Sequence, residues 1–412
     1  MLRGVRIAAL ATLWLVPLLI LVSAFSSGWV TTWRALGVPS MTPPFLDLYG
    51  IPASVETLHQ GLDPMVTNPS DPYHRPLNYP RVWLYLFSAA GITRGNVSAA
   101  GIVLCGFYLF CMSYLILQMK HAVDSVIILF VSLSVAPLFA IERGNNDLVV
   151  FSLVFLACVA TNRYLKSGLF SVAALLKLYP IVGMTIDAIR RPLKERLLAA
   201  LLILCVIFVL LLQWHDLTLI RHGTPVSRSM SFGVLSFAEE ILHETSGWHF
   251  LAGLGWVVVL ECWLAGALTV GNAWRNPLEL DDSISNSRFA EMFSVFGGIY
   301  VFAYAIGSNW DYRLIFLLPT LPLAMEMARS PRYRRWAIAY LLLVGVAENS
   351  IGFETSGGTL VGHIATFALF IFLLTMLTNQ NKSFLVSSKI LEFAEREVPS
   401  TSTAHAHSQE EV

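Results

Sequence analysis

The sequence predicts an all-α, polytopic membrane protein, and three observations carry that prediction. Of 412 residues, 56% are hydrophobic and 13% charged, with a mean hydropathy of +0.64. A soluble domain cannot hide that much apolar surface behind so few charges. The apolar residues gather into about twelve segments, and a spanning helix needs roughly 20 such residues, fewer where neighbours shield its ends. The basic residues cluster between segments, as they do on the cytoplasmic side of membrane proteins. Net charge is zero, so nothing points to nucleic acid.

The segments lie near residues 7–25, 80–93, 97–118, 122–141, 146–161, 168–186, 197–214, 250–270, 290–307, 312–328, 336–350 and 359–378. The first follows Arg3 and Arg6 but has no small-x-small cleavage site, so it reads as a retained helix. The segments 80–93 and 146–161 are short and suit broken helices. Arg190, Arg191, Lys194 and Arg196 form one basic cluster, and Arg329, Arg332, Arg334 and Arg335 another. Twelve spans put both clusters and both termini in the cytoplasm. The first loop, 26–79, and the second, 215–249, then share the outer face. The same parity puts Glu142–Asp147 on the inner side and Lys177 in mid-membrane. Residues 1–380 read as one transmembrane domain and 381–412 as a disordered cytoplasmic tail. The five cysteines sit in apolar runs without metal-ligand spacing, and His405 and His407 are too weak a metal signal to count.

The first loop is structured. Pro52 suits an early helix position and Gly61 a helix end, which predicts a short helix from Ala53 to Gln60. Ile51, Val55 and Leu58 would face the membrane surface. Asp47 lies at the membrane rim, where a carboxylate serves as a general base, a solvated acid or a helix cap.

Ionisable groups in or beside spans are costly, so each is a candidate. Glu142 to Asp147 is either a convergence of polar side chains or a plain turn with an Arg143–Asp147 pair. Lys177 precedes Tyr179-Pro180 in mid-span, where it snorkels or meets a phosphate. Arg313 offers a planar fork for phosphate that Asp311 would orient, or the run Asn309 to Arg313 is an interfacial aromatic belt. His215, Arg221, His222 and Arg228 make the second loop basic.

These residues resemble the GT-C superfamily of integral-membrane glycosyltransferases, in particular its polyprenol-phosphate-mannose-dependent alpha-mannosyltransferases. The likeness rests on Asp47, Tyr79-Pro80, Gly144-Asn145, Lys177-Leu178-Tyr179-Pro180 and the run NWDYRLIFLLP from Asn309 to Pro319. Arg81 stands where relatives often carry a second proline. The resemblance implies inverting transfer of a hexose, mannose favoured, at the extracytoplasmic face. The donor would be a polyprenyl-phosphate sugar and the acceptor a glycan or glycolipid hydroxyl, with no cofactor and no required metal. Asp47 would be the base, and Lys177, Arg143 or Arg313 would meet the leaving phosphate. Tyr49, His59, Tyr79, Asn145, Asn146, Tyr179, Arg228 and Asp311 complete the expected substrate contacts. Two rivals share this composition: a lipid-linked-sugar transporter or flippase, and a surface-polysaccharide ligase or polymerase. Transporters often carry two similar halves, and this chain does not.

Overall fold

A computed structural model describes residues 2–224, 227, 229–244, 254–277, 281–352 and 356–397. The first helix, α1 (Leu2–Ser27), sets the axis. At about 1.5 Å per residue its ends are nearly 40 Å apart. Near its start Arg6 donates to the Met119 carbonyl, and just past its end Trp29 donates to Glu142. Those two contacts define a far end and a near end of the molecule.

At the near end lie α2 (Trp29–Ala35), α3 (Leu46–His59) and α4 (Val82–Ala89). Next, α5 (Val97–Gln118) runs to the far end. The chain returns through α6 (Ala122–Ser132) and α7 (Val135–Arg143), bent 47° at their junction. It descends along α8 (Asp147–Val159), rises along α9 (Arg163–Leu176) and descends along α10 (Ile181–Ile189). After α11 (Leu193–Leu212), the surface helix α12 (Trp214–Gly223) leads back toward the near end. There β1 (Ser231–Phe232) precedes α13 (Val234–Glu244). The chain goes on through α14 (Leu254–Arg275), α15 (Asp282–Ser285) and α16 (Ala290–Ile306). The strand β2 (Asn309–Trp310) pairs antiparallel with β1 and enters a 3-10 helix over Asp311–Thr320. Finally come α17 (Leu321–Met327), α18 (Arg334–Asn349) and α19 (Ser356–Glu397).

This is an all-α architecture suited to a bilayer. Among the described residues, five helices are long and apolar enough to cross a membrane, or six with α6 and α7 as one bent span. Leu18 and Val22 on α1, Leu201 and Phe208 on α11, and Leu260 and Leu268 on α14 are each more than half exposed. Apolar faces of that extent need lipid against them.

The expected count of twelve spans is corrected. Hydropathy counts apolar residues and not unbroken helix. The segment 80–93 holds only the eight-residue α4, and both its flanks are tied to the first loop, Arg81 to Asp63 and Arg94 to Glu56. The segment 168–186 breaks into α9 and α10 at Lys177, which is extended (φ −152°, ψ 139°). The run 312–328 starts as a 3-10 helix. Short broken helices persist where protein covers their ends.

The first two departures act on parity in opposite directions. With 80–93 no longer crossing, Glu142–Asp147 moves to the near end, against the expectation. With 168–186 folded back on itself, the second loop returns to the near end as expected. At the far end Arg6, Arg190, Arg191 and Arg329 do gather: Lys166 pairs with Glu291, Arg190 bonds Ser294, and Arg288 bonds Gln118. The polar stretch from Lys382, expected as a disordered tail, continues α19 to Glu397, and residues 398–412 lie outside the described ones.

Helix α3 also begins earlier than expected. It runs from Leu46, with Pro52 inside it, so Asp47 sits in its first turn. Ile51 is fully buried rather than interfacial, because α3 packs into the core beside α5 and α7.

Candidate functional site

Phe45 sets the position of Asp47. It is fully buried in a left-handed conformation (φ 55°), with its ring 4.9 Å from that of Trp29. Its ring lies against Gly101 on α5 and Gly144 after α7, where an added Cβ would stand 2.6 and 3.0 Å from ring carbons. Gly144 is itself left-handed (φ 55°), a conformation glycine adopts without strain. These two glycines let the start of α3 lie directly on the α7–α8 turn. Glu142 anchors the same turn by accepting from Trp29, Ser40 and the Met41 amide.

Asn145 is thereby placed under Asp47. Its Nδ2 donates to Asp47 Oδ2 at 2.7 Å, and its Oδ1 accepts the Asp147 amide at 2.9 Å. Asn145 therefore fixes the direction of the carboxylate. On the other side, Arg75 Nη1 is 3.5 Å from Asp47 Oδ1. Arg75 is held in turn by Asp71 at 2.9 and 3.2 Å and by the Leu46 carbonyl at 3.0 Å. Burial alone would lower the Arg75 pKa; the Asp71 hydrogen bond and the Asp47 charge outweigh it, and the pKa rises.

A second charged cluster lies deeper. Asp147, with no exposed surface, forms an ion pair with Lys177 Nζ at 2.7 Å and accepts hydrogen bonds from Arg313 Nε at 3.1 Å and the Tyr179 hydroxyl. Arg313 also donates to Asn309 Oδ1 at 2.6 Å. Lys177 Nζ stands 5.3 Å from the Tyr79 ring centroid, and the Arg313 guanidinium 5.6 Å from that of Tyr179. Both cations share this one carboxylate, so the cluster keeps a net positive charge.

Above this cluster a cavity of about 270 Å³ opens at the near end, lined among others by Asp47, Arg75, Tyr79, Arg143, Trp310 and Tyr312. That is the small end of ligand-site volumes, roughly 300–1,000 Å³. Trp310 and Tyr312 lie parallel, 6.1 Å apart. Arg143 is 5% exposed and spends only Nε on Glu142, at 3.1 Å. Among the described residues its two terminal nitrogens have no hydrogen-bond partner. Gly223 and Met230 complete the rim from the second loop.

Of the expected site residues, Asp47, Tyr79 and Arg143 line the cavity, while Asn145, Lys177, Tyr179 and Arg313 support it from below. Four others do not join it. Tyr49 turns toward Arg94, and His59 is exposed at the end of α3. Asn146 is buried with neither amide atom partnered among the described residues. Asp311 does not orient Arg313; it is buried beside Ser231, Ser350 and His363. Extended backbone at Trp310 (ψ 140°) sends residues 310 and 312 into the cavity and 311 the other way. Arg228 lies outside the described residues. Asp71 and Arg75 stand in the sequence only as two of the many charges of the first loop, and Trp310 and Tyr312 only as members of the run Asn309 to Arg313; the structure adds all four to the cavity lining.

Fold and site together define an all-α protein of membrane character with a charged, aromatic cavity at one end. The chain matches no protein-family profile, no curated protein and no solved structure.

Proposed function

We propose that the protein is an inverting, GT-C-like glycosyltransferase. It moves a hexose, mannose favoured, from a polyprenyl-phosphate donor to a hydroxyl of a glycan or glycolipid. One observation carries this reading: a directed carboxylate, Asp47, and an open guanidinium, Arg143, line one small aromatic cavity. A direct displacement needs those two charges. Asp47 takes the acceptor proton as the acceptor oxygen bonds to the anomeric carbon. The bond from that carbon to the phosphate oxygen breaks, and Arg143 receives the charge that develops there. The sugar rests against Trp310 and Tyr312. Lys177 and Arg313, both held by Asp147, brace the floor, and Arg143, whose terminal nitrogens are open, takes the phosphate. The cavity faces the extracytoplasmic side, and the arginine-rich far end and both termini face the cytoplasm.

The test is purified protein in vesicles with a panel of polyprenyl-phosphate sugars and mass detection of product. A new glycoside from one donor supports the reading. Lipid-sugar that crosses the vesicle while no glycoside forms assigns the chain to transport instead.

A further inference from the structure

A second cavity, about 300 Å³, lies at the far end, where α5 gives way to α6. Lys120, His121, Asp124, Phe289, Glu326 and Arg329 are among its lining residues. Its two carboxylates are already engaged: Asp124 accepts from Arg329, and Glu326 accepts from Ser287. Lys120 and His121 are exposed and have no ion-pair partner among the described residues. Two arginines adjoin. Arg6 donates to the carbonyl of Met119, another lining residue, and Arg288 precedes Phe289 and donates to Gln118. Neither has a carboxylate partner among the described residues. With Arg329 matched to Asp124, Lys120 in the lining and Arg6 and Arg288 beside it are left without a carboxylate partner among the described residues, a setting that suits an anion.

The surroundings say which kind. Ile7, next to Arg6, is 57% exposed, and Val123, two residues after His121, is 59% exposed. An apolar surface beside a cationic pocket suits a molecule with an anionic head and a greasy tail. We propose that this cavity holds the phosphate headgroup of an anionic phospholipid, gripped by Lys120 and His121, with the acyl chains along α1 and α6. The site is about 30 Å from the Asp47 cavity along α1, so it tests separately from the transferase reading.

The full chain in nanodiscs gives the test. Phosphatidylglycerol is expected to survive delipidation and appear bound in native mass spectra, where phosphatidylcholine does not. The pair Lys120→Gln and His121→Gln should retain on the order of tenfold less phosphatidylglycerol. The variant Lys120→Arg keeps the positive charge and should retain phosphatidylglycerol, which separates loss of charge from loss of fold. Equal retention by wild type and the glutamine pair overturns the proposal, as does equal retention of the two lipids. Inorganic phosphate that raises the melting temperature as much as phosphatidylglycerol would assign the cavity to a soluble anion and overturn the lipid assignment.

Discussion

The two charged clusters at the near end are built from the same residue types and differ in burial. At Asp47–Arg75 the side chains are 16% and 31% exposed, and at Asp147–Lys177 they are 0% and 7%. The upper pair is 3.5 Å apart and the lower 2.7 Å. A loose, part-open pair exchanges its partner for a substrate at small cost. A tight, dry pair does not, because each charge depends on the other for its solvation. The upper cluster is therefore suited to chemistry and the lower to holding helices together. Asn145 joins them by hydrogen bonds at 2.7 and 2.9 Å.

The largest effect expected follows from that division. Asp147→Ala leaves the buried Lys177 and the part-exposed Arg313 without a carboxylate, and breaking a buried pair costs about 3–5 kcal/mol. Thermal unfolding in detergent should show a protein near the edge of stability. Asp47→Asn should show the opposite profile, with stability within about 1 kcal/mol of wild type and the transfer rate lower by about 10²–10⁴. An unfolded Asp47→Asn, or a stable and inactive Asp147→Ala, would exchange the two roles. A smaller effect is expected at Arg143→Gln: a fall in kcat of about 10²-fold with little change in acceptor KM. An unchanged kcat would return the phosphate role to Lys177 or Arg313.

How much of this was legible in the sequence follows from the same contrast. Asp47, Arg143, Lys177 and Arg313 stand out because charges are few and expensive in an apolar chain. Their pairing does not stand out. Residues 147, 177 and 313 lie on different elements, and only the break at Lys177 and the turn into the 3-10 helix bring them together. Asp71 and Arg75 were hidden by a polar loop in which many charges look alike. Their importance comes from a turn in which Asp71 Oδ1 accepts the Tyr73 and Arg75 amides. Span counting failed at 80–93 because hydropathy does not register that Arg81 and Arg94 tether both flanks to the first loop.

The contact that brings the clusters together can be strained directly. A methyl group at Gly101 would stand 2.6 Å from the Phe45 ring, which has no room to retreat beneath Trp29. Overpacking of this kind costs about 1–3 kcal/mol. Gly101→Ala should lower the melting temperature and shift Asp47 off Asn145, with activity falling further than stability alone explains. Wild-type activity in a destabilised Gly101→Ala protein would mean that the Phe45 contact holds the fold without aiming the carboxylate.

The smallest effect concerns the rim. Arg81 bridges Asp63 in the first loop at 2.9 Å and Asp216 on α12 at 2.8 Å. The Arg81 hydrogen bond holds the Asp63 carboxyl below its ordinary pKa. A carboxylate lowered in the folded state adds stability above its unfolded pKa, near 3.9, and loses it as pH falls through the folded value. Asp63 is 40% exposed and Arg81 28%, so solvent screens the pair and its contribution stays within about 1 kcal/mol. Wild type and Arg81→Gln should therefore differ slightly in melting temperature at pH 7 and converge below about pH 4. A gap that persists unchanged at pH 3 would mean that Arg81 holds α12 to the loop by packing its alkyl stem, and that charge contributes nothing at the rim.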